Sequence, residues 1–155
     1  MRPKGKLMAG DLDIKPWLLN KIVLPQSTDH AGVMWHGSYL LWLEEARINA
    51  LSDVGLSYKY LSDQGYELPV VDLRIKYIMP FWHGEDVLLK TWISSKKGLR
   101  WNCKTKFLKD SGDLGAIANI DLVLVEKKDS GHHLLRKKPS YLSQALFDLQ
   151  HGPNS

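Results

Sequence analysis

The chain has 155 residues, 44% of them hydrophobic and 25% charged, which is enough for one domain with a core of its own and excludes disorder over most of the length. The single cysteine, Cys103, excludes an intramolecular disulfide framework and fits a reducing compartment. A net charge of +4 and an isoelectric point near 9.1 suit an anionic partner, whether nucleic acid, an acidic carrier protein or a phosphate-bearing cofactor, and charge alone does not choose among them.

In chain order, residues 1–16 carry scattered charges with Pro3, Gly5, Gly10 and Pro16 and read as a loosely held arm. No apolar run of signal-peptide length follows the basic opening, and no run is long enough to span a membrane, so a cytoplasmic protein without a membrane span is expected. One domain is expected over 17–150, followed by a tail at 151–155. Residues 21–24 predict a short strand ending at Pro25, and 26–28 lead into a loop at Asp29.

From Tyr39 the apolar residues recur at Trp42, Leu43, Ala46, Ala50 and Val54, a helical period, while Leu40, Leu41 and Leu51 widen the stripe until the helix needs cover on several sides. Gly55 is placed to end it. A short second helix is predicted over 57–64 and is broken by Gly65. The period then changes. Residues 68–79 alternate Leu73, Ile75 and Tyr77 with Asp72, Arg74 and Lys76, a strand with one covered face.

Strands over 87–95 and 99–108 follow, joined by a tight turn at Lys96-Lys97-Gly98, with Trp101, Cys103, Thr105 and Phe107 sharing a face. A strand over 114–126 is apolar enough to be buried on much of both faces, and 132–135 would extend it. Pro139 opens a last helix with Leu142, Ala145, Leu146 and Leu149 on one side. One long buried helix and a meander of antiparallel strands make an α+β layout, with the sheet curled around the helix.

The chemistry concentrates where the long helix begins. Gly32 permits a tight turn, and Gly37 lets a ligand approach the backbone where the first turn has unpaired N–H groups. The N–H groups near His36 and Gly37, at the positive end of the helix dipole, are suited to the oxygen of a tetrahedral intermediate. Asp29 lies upstream on the same approach. Trp35, Tyr39 and Trp42 would furnish an aromatic pocket, although Tyr39 and Trp42 at helical spacing are first of all core.

The run Asp29-His30-Ala31-Gly32-Val33 leading to His36, followed by Tyr39 and Glu44, and later Tyr77, Pro80 and Gly84-Glu85, resembles the hotdog-fold acyl-CoA thioesterases of the 4-hydroxybenzoyl-CoA thioesterase-like family. Glu85 stands where that family usually has Asp. The resemblance implies a hotdog fold, a homodimer or homotetramer with sheets joined edge to edge and sites at the interface, and hydrolysis of an acyl-CoA or an acyl carrier protein thioester. An aromatic acyl group such as dihydroxynaphthoyl is compatible, as is an aliphatic one.

Within that resemblance Asp29 becomes the nucleophile or the general base on water, where alone it would read as a turn residue. His36 becomes the second catalytic participant, and the backbone N–H groups of His36 and Gly37 the oxyanion hole. His30 reads as a loop residue, Glu44 as a reserve base, and Glu44 or Glu45 as a local partner of Arg47. Cys103, without a nearby His in the pattern, reads as core.

Lys96, Lys97 and Arg100 are candidates for the coenzyme A phosphates, with Arg136-Lys137-Lys138 as a second set. No metal spacing, Gly-rich nucleotide loop or nucleophile elbow is present, no nucleic-acid partner is expected, and no cofactor is needed because coenzyme A is part of the substrate. A hotdog dehydratase using His36 with Glu44, and a non-catalytic module that senses acyl-CoA, are the competing readings.

Overall fold

A computed structural model describes residues 14–96, 99–128, 131–134 and 138–154. Among them the chain forms β1 (Trp17–Ile22), a single 3-10 turn (Pro25–Ser27), α1 (His36–Asp53), α2 (Tyr58–Asp63), β2 (Tyr66–Glu67), β3 (Val70–Tyr77), β4 (Asp86–Ser95), β5 (Arg100–Lys109), β6 (Leu114–Val123), β7 (Val125–Lys128), β8 (Gly131–Leu134) and α3 (Ser140–His151). The main sheet is antiparallel in the order β1-β4-β5-β6-β3, and β2, β7 and β8 make a smaller one. An antiparallel sheet against one long helix is the expected α+β layout.

The alternation in β4 and β5 explains the packing. Val87, Leu89, Thr91 and Ile93 on one strand, and Trp101, Cys103, Thr105 and Phe107 on the next, are all buried on the helix side. The two core hydroxyls fall opposite each other in register and satisfy one another at 2.8 Å between Thr91 Oγ1 and Thr105 Oγ1, so neither is stranded in the core. Tyr39, Trp42, Leu43, Ala46 and Ala50 of α1 join the same cluster, and Leu142, Ala145, Leu146 and Leu149 of α3 close it. The approach to β1 is tied to the end of α3: Lys15 N donates to His151 O at 3.0 Å, and Trp17 Nε1 to Leu149 O at 2.8 Å.

Four expectations differ from what is found. The first strand lies at Trp17–Ile22 rather than 21–24, because Leu18, 59% exposed on the edge, breaks the alternation that would have announced it. The strand over 68–79 was expected to have one covered face, yet Val70, Val71, Leu73 and Tyr77 of β3 are all exposed: β3 is an edge, and among the described residues only Ile75, packed against the core, and Tyr77, against the Tyr39 ring, find partial cover. Residues 131–134 do not extend the preceding strand but fold back on β7 as an antiparallel hairpin. Arg47 does not pair with Glu44 or Glu45; it is buried, and its Nε donates to Tyr58 Oη at 2.9 Å, while Glu45 pairs with Lys21 of β1 at 2.9 Å.

Gly115, in β6, is where the sheet meets the loop after β3. Its carbonyl accepts from Ile78 N and Met79 N, and a Cβ at this position would run into the ring of fully buried Phe81. Phe81 has no free volume to retreat into, so Gly115→Ala should destabilise the fold by about 1–3 kcal/mol, as overpacking does. Urea denaturation measures this, and the urea midpoint should drop with the slope m unchanged.

Candidate active site

The Asp29 segment is a tight hairpin held from three directions. Asp29 N donates to Val33 O at 2.8 Å, Thr28 and Met34 bridge across its base, and Gly32 sits at the corner with φ +80°. Asp29 Oδ1 accepts from Ala31 N at 2.9 Å and from Val33 N at 3.2 Å, an Asx-type turn that fixes the carboxylate. Among the described residues Oδ2 makes no hydrogen bond.

The hairpin is laced to the rest of the protein through its far side. Met34 N donates to Phe81 O at 2.7 Å, His83 N to Gly32 O at 3.0 Å, and Val33 bridges Trp82.

The helix start is tied back to the same hairpin. Ser27 O accepts from Trp35 N and from Ser38 Oγ, both at 2.9 Å, and Ser38 N turns back to Trp35 O at 2.9 Å. Trp35 is the cap and offers no side-chain acceptor, so among the described residues the N–H groups of His36 and Gly37 have no partner. They are open donors at the positive end of an 18-residue helix.

Beside them lies a cleft of about 380 Å3 lined by Val33, Met34, His36, Tyr39, Tyr77, Ile78, Met79 and Pro80. His36 is exposed at its rim, and Tyr39 and Tyr77 meet edge to face at 5.0 Å between ring centroids. Tyr39 is buried, its hydroxyl makes no hydrogen bond among the described residues, and burial with Tyr77 and Glu85 nearby pushes its pKa up to about 12. It stays a neutral donor at any physiological pH. Asp29 is exposed and does not line this cleft in the single chain.

Sequence reading did not single out the next pair. Burial alone would raise the Glu85 carboxyl, but the Trp82 N–H at 2.6 Å and the Lys109 ammonium at 3.1 Å outweigh it and hold it below the usual glutamate range. Lys109 Nζ also donates to Pro80 O at 2.6 Å and sits 4.6 Å from the Phe81 ring centroid. This knot fixes the wall of the cleft at Pro80. The only sequence signal for it is the Gly84-Glu85 turn, which says nothing of Lys109.

The remaining sequence-predicted residues are spread out. The Trp35 ring lies over Gly37, where a Cβ would collide with it, so the missing side chain of Gly37 makes room for that indole. Trp42 does not line the His36 cleft; it borders a separate one with Lys21, whose ammonium stands 5.7 Å from its ring centroid. Glu44 is exposed, about 12 Å along the helix axis from His36 at 1.5 Å per residue.

Lys96 Nζ meets Asp121 Oδ2 at 2.9 Å and Arg100 stands 3.9 Å from the same oxygen, so both cations face a buried carboxylate. Hydrogen bonds from Asn102 and Lys96 hold that carboxylate below its usual range. Asp121 pairs with Asp72, five residues along β3 from Tyr77, so the cluster is roughly 17 Å from the cleft. Lys97, Arg136 and Lys137 lie outside the described residues, and Lys138 stacks on Trp101 at 5.5 Å. Cys103 is buried, which pushes its thiol up to about 12 and leaves it inert. Among the described residues no three His, Cys, Asp or Glu side chains group as a metal site, and no helix is long and apolar enough to cross a membrane.

Comparison with known proteins follows the same geometry. The family model of the thioesterase-like superfamily matches residues 23–146. A candidate esterase of Synechocystis is 31% identical over 130 residues, 83% of this chain and 76% of that protein. A candidate acyl-CoA thioesterase of Bacillus subtilis is 31% identical over 101 residues, 65% of this chain and 73% of its own. The crystal structure of a 1,4-dihydroxy-2-naphthoyl-CoA thioesterase from Synechocystis superposes with a TM-score of 0.75 at 26% identity, over 87% of this chain and 98% of that one. The fold is the hotdog.

The Glu85–Lys109 knot has a pH signature. A carboxyl held low in the folded protein contributes stability above its unfolded pKa and loses it as pH falls through the folded one. Thermal unfolding of wild type and Glu85→Gln should therefore give midpoints well separated near neutral pH that converge as pH falls from about 6 to about 3. A gap independent of pH would mean the carboxylate is not held by these partners.

Proposed function

The chain belongs to the thioesterase-like superfamily and is a thioester hydrolase acting on acyl-CoA, and from that premise we propose that the hydrolysis takes place at the start of α1. The observation that carries this is the pair of unclaimed N–H groups at His36 and Gly37 beside an aromatic cleft. The thioester carbonyl rests on those donors, which strengthen as its oxygen gains charge. Either water adds to the carbonyl carbon and the C–S bond breaks, or a carboxylate adds, displaces coenzyme A as thiolate and leaves an anhydride that water then opens; both routes end in a carboxylic acid and coenzyme A.

Asp29 supplies the carboxylate, as nucleophile or as base on the water, through the Oδ2 that the hairpin leaves open. His36 at the cleft rim orients the carbonyl or protonates the departing thiolate. The acyl group occupies the cleft between Tyr39 and Tyr77, whose edge-to-face rings and neutral Tyr39 hydroxyl suit an aromatic acyl group, as in the Synechocystis neighbour. A dehydratase dyad of His36 with Glu44 has no support, since Glu44 stands outside the cleft.

The site is completed by a second copy of the chain. Asp29 and the β3 edge are open in the single protomer, and the exposed Val71, Leu73, Tyr77, Ile78 and Met79 form an apolar edge of a kind that proteins cover. Pairing β3 with its symmetry mate joins the two sheets and brings each cleft against the other subunit.

Three measurements test this. Asp29→Asn and His36→Ala should lower kcat on an aromatic acyl-CoA by about 10²–10⁴-fold with small changes in KM; undiminished turnover in Asp29→Asn removes that residue from the mechanism. Single turnover in 18O-water tests the nucleophilic route: label entering the Asp29 carboxylate identifies an acyl-aspartyl intermediate opened at the Asp29 carbon. Leu73→Lys should give a monomer by sedimentation and cost most of the activity, and an active monomer would contradict a shared site.

A further inference from the structure

Helices α1 and α3 bury their apolar residues on one side of the main sheet. On the other side the strand register lines up Lys90, Lys106, Ile117 and Lys76 across β4, β5, β6 and β3. The next row holds Trp92, Lys104, Asn119 and Arg74. All of these are half-buried or exposed. Such positions lie about 5 Å apart between strands and about 7 Å along them, so five cations share one small, flat field.

Their counter-ions are missing. The carboxylates one row further on are both taken: Asp121 holds Lys96 and Arg100, and Asp72 stands 3.5 Å from Arg74 Nε. Asp86, two rows from Lys90 on β4, is about 13 Å away along the strand. Among the described residues Lys76, Lys90, Lys104 and Lys106 have no carboxylate within ion-pair distance. Lys90 and Lys106 even face each other directly, which costs stability. The net charge of the chain is +4, so with these four lysines set aside the remaining charges cancel. A face that carries the whole excess charge of the protein is matched by an extended negative surface.

The side chains between the lysines decide which surface. Trp92 stands within the array, with the Lys106 ammonium 5.6 Å from its ring centroid. Leu88 and Leu108 pair one row away, and Leu18 and Ile22 of β1, 59% and 54% exposed, extend the same face. An indole among lysines with aliphatic neighbours suits the headgroup level of an anionic bilayer. A second copy of the face would set lysine against lysine. Duplex nucleic acid is read by a helix or ribbon entering a groove, and single strands stack on open rings, whereas this array offers one indole with Lys106 against it. A protein partner is anchored in pockets, and the clefts at His36 and Trp42 include none of these cations.

We propose that the outer face of the sheet docks on membranes of anionic phospholipid, with Lys76, Lys90, Lys104 and Lys106 among the headgroup phosphates and Trp92 at their level. The start of α1 then lies on the far side of the sheet and stays open. A single chain carries the whole array, and pairing at β3 joins two such faces into one.

Vesicles of two parts phosphatidylcholine to one part phosphatidylglycerol should sediment the full chain in about 0.1 M salt and release it in about 1 M, where screening is severe. Pure phosphatidylcholine should not hold it. Each basic residue near an anionic surface is worth about fivefold in partitioning, so Lys90→Gln with Lys106→Gln should weaken binding at least about 25-fold. Thermal stability should not fall, because the facing like charges are gone. Lys59→Gln with Lys128→Gln removes the same charge from exposed positions elsewhere and should bind as wild type. Brominated acyl chains in the same vesicles should quench tryptophan fluorescence in wild type and in Trp35→Phe, and much less in Trp92→Phe; this readout needs no lysine variant to fold.

Failure to sediment with the mixed vesicles, equal binding to pure phosphatidylcholine, equal loss in the two double variants, or quenching untouched by Trp92→Phe would each overturn the membrane site. So would tighter binding to a duplex oligonucleotide or to polyglutamate than to the mixed vesicles at equal salt. None of these readouts depends on turnover, so failure here and failure of the hydrolase reading are distinguishable.

Discussion

The structure depends on one carbonyl. Ser27 O accepts both from Trp35 N and from the buried Ser38 hydroxyl, which binds the approach of the chain to the first turn of α1. Those two bonds, with Met34 N on Phe81 O, set where the hairpin carrying Asp29 sits relative to the helix. They also consume the donors that would otherwise compete, and leave His36 and Gly37 N–H unspent. A helix whose cap had a side-chain acceptor would have satisfied one of those groups internally.

The rest of the protein keeps that arrangement rigid. The cluster of α1 against β4, β5 and β6 pairs its two core hydroxyls, Thr91 and Thr105, inside it. The wall of the cleft hangs from Lys109, which holds Pro80 and Glu85 at once. Binding chemistry on a loop is normally mobile; here the loop is tied to a strand end, a helix and the segment after β3. What the single chain leaves unfinished is its β3 edge, where apolar residues face solvent beside the cleft.

Much of this was legible in the sequence, and the failures have physical reasons. The long helix, the Asp29-x-x-Gly32 hairpin and the meander strands came from period and turn chemistry, which are local properties. The cover of β3 was not local: alternation shows that a strand has an apolar face, not whether its own chain supplies what lies over it. Arg47 sits three residues from Glu44 and invited a surface pair, but the helix turns it inward under Tyr58. Trp42 follows Tyr39 by three residues, yet the clefts the two border are different ones: residues 20–22 of β1 line the cleft at Trp42, with Lys21 over its ring, and residues 77–80 the cleft at Tyr39. In the Lys109–Glu85 pair, separated by 24 residues, the Gly84-Glu85 turn marks one partner and nothing local marks the other.

The claim on which the account stands is that the carbonyl of the substrate lies on the first turn of α1. An acyl-CoA analogue with a methylene in place of the thioester sulfur binds without turning over, and the backbone amide resonances report where its ketone oxygen goes. The N–H signals of His36 and Gly37 should both move downfield on saturation, more than any other amides of the helix. If those two stay in place while other amides respond, the carbonyl is held elsewhere and the start of α1 is not the oxyanion site.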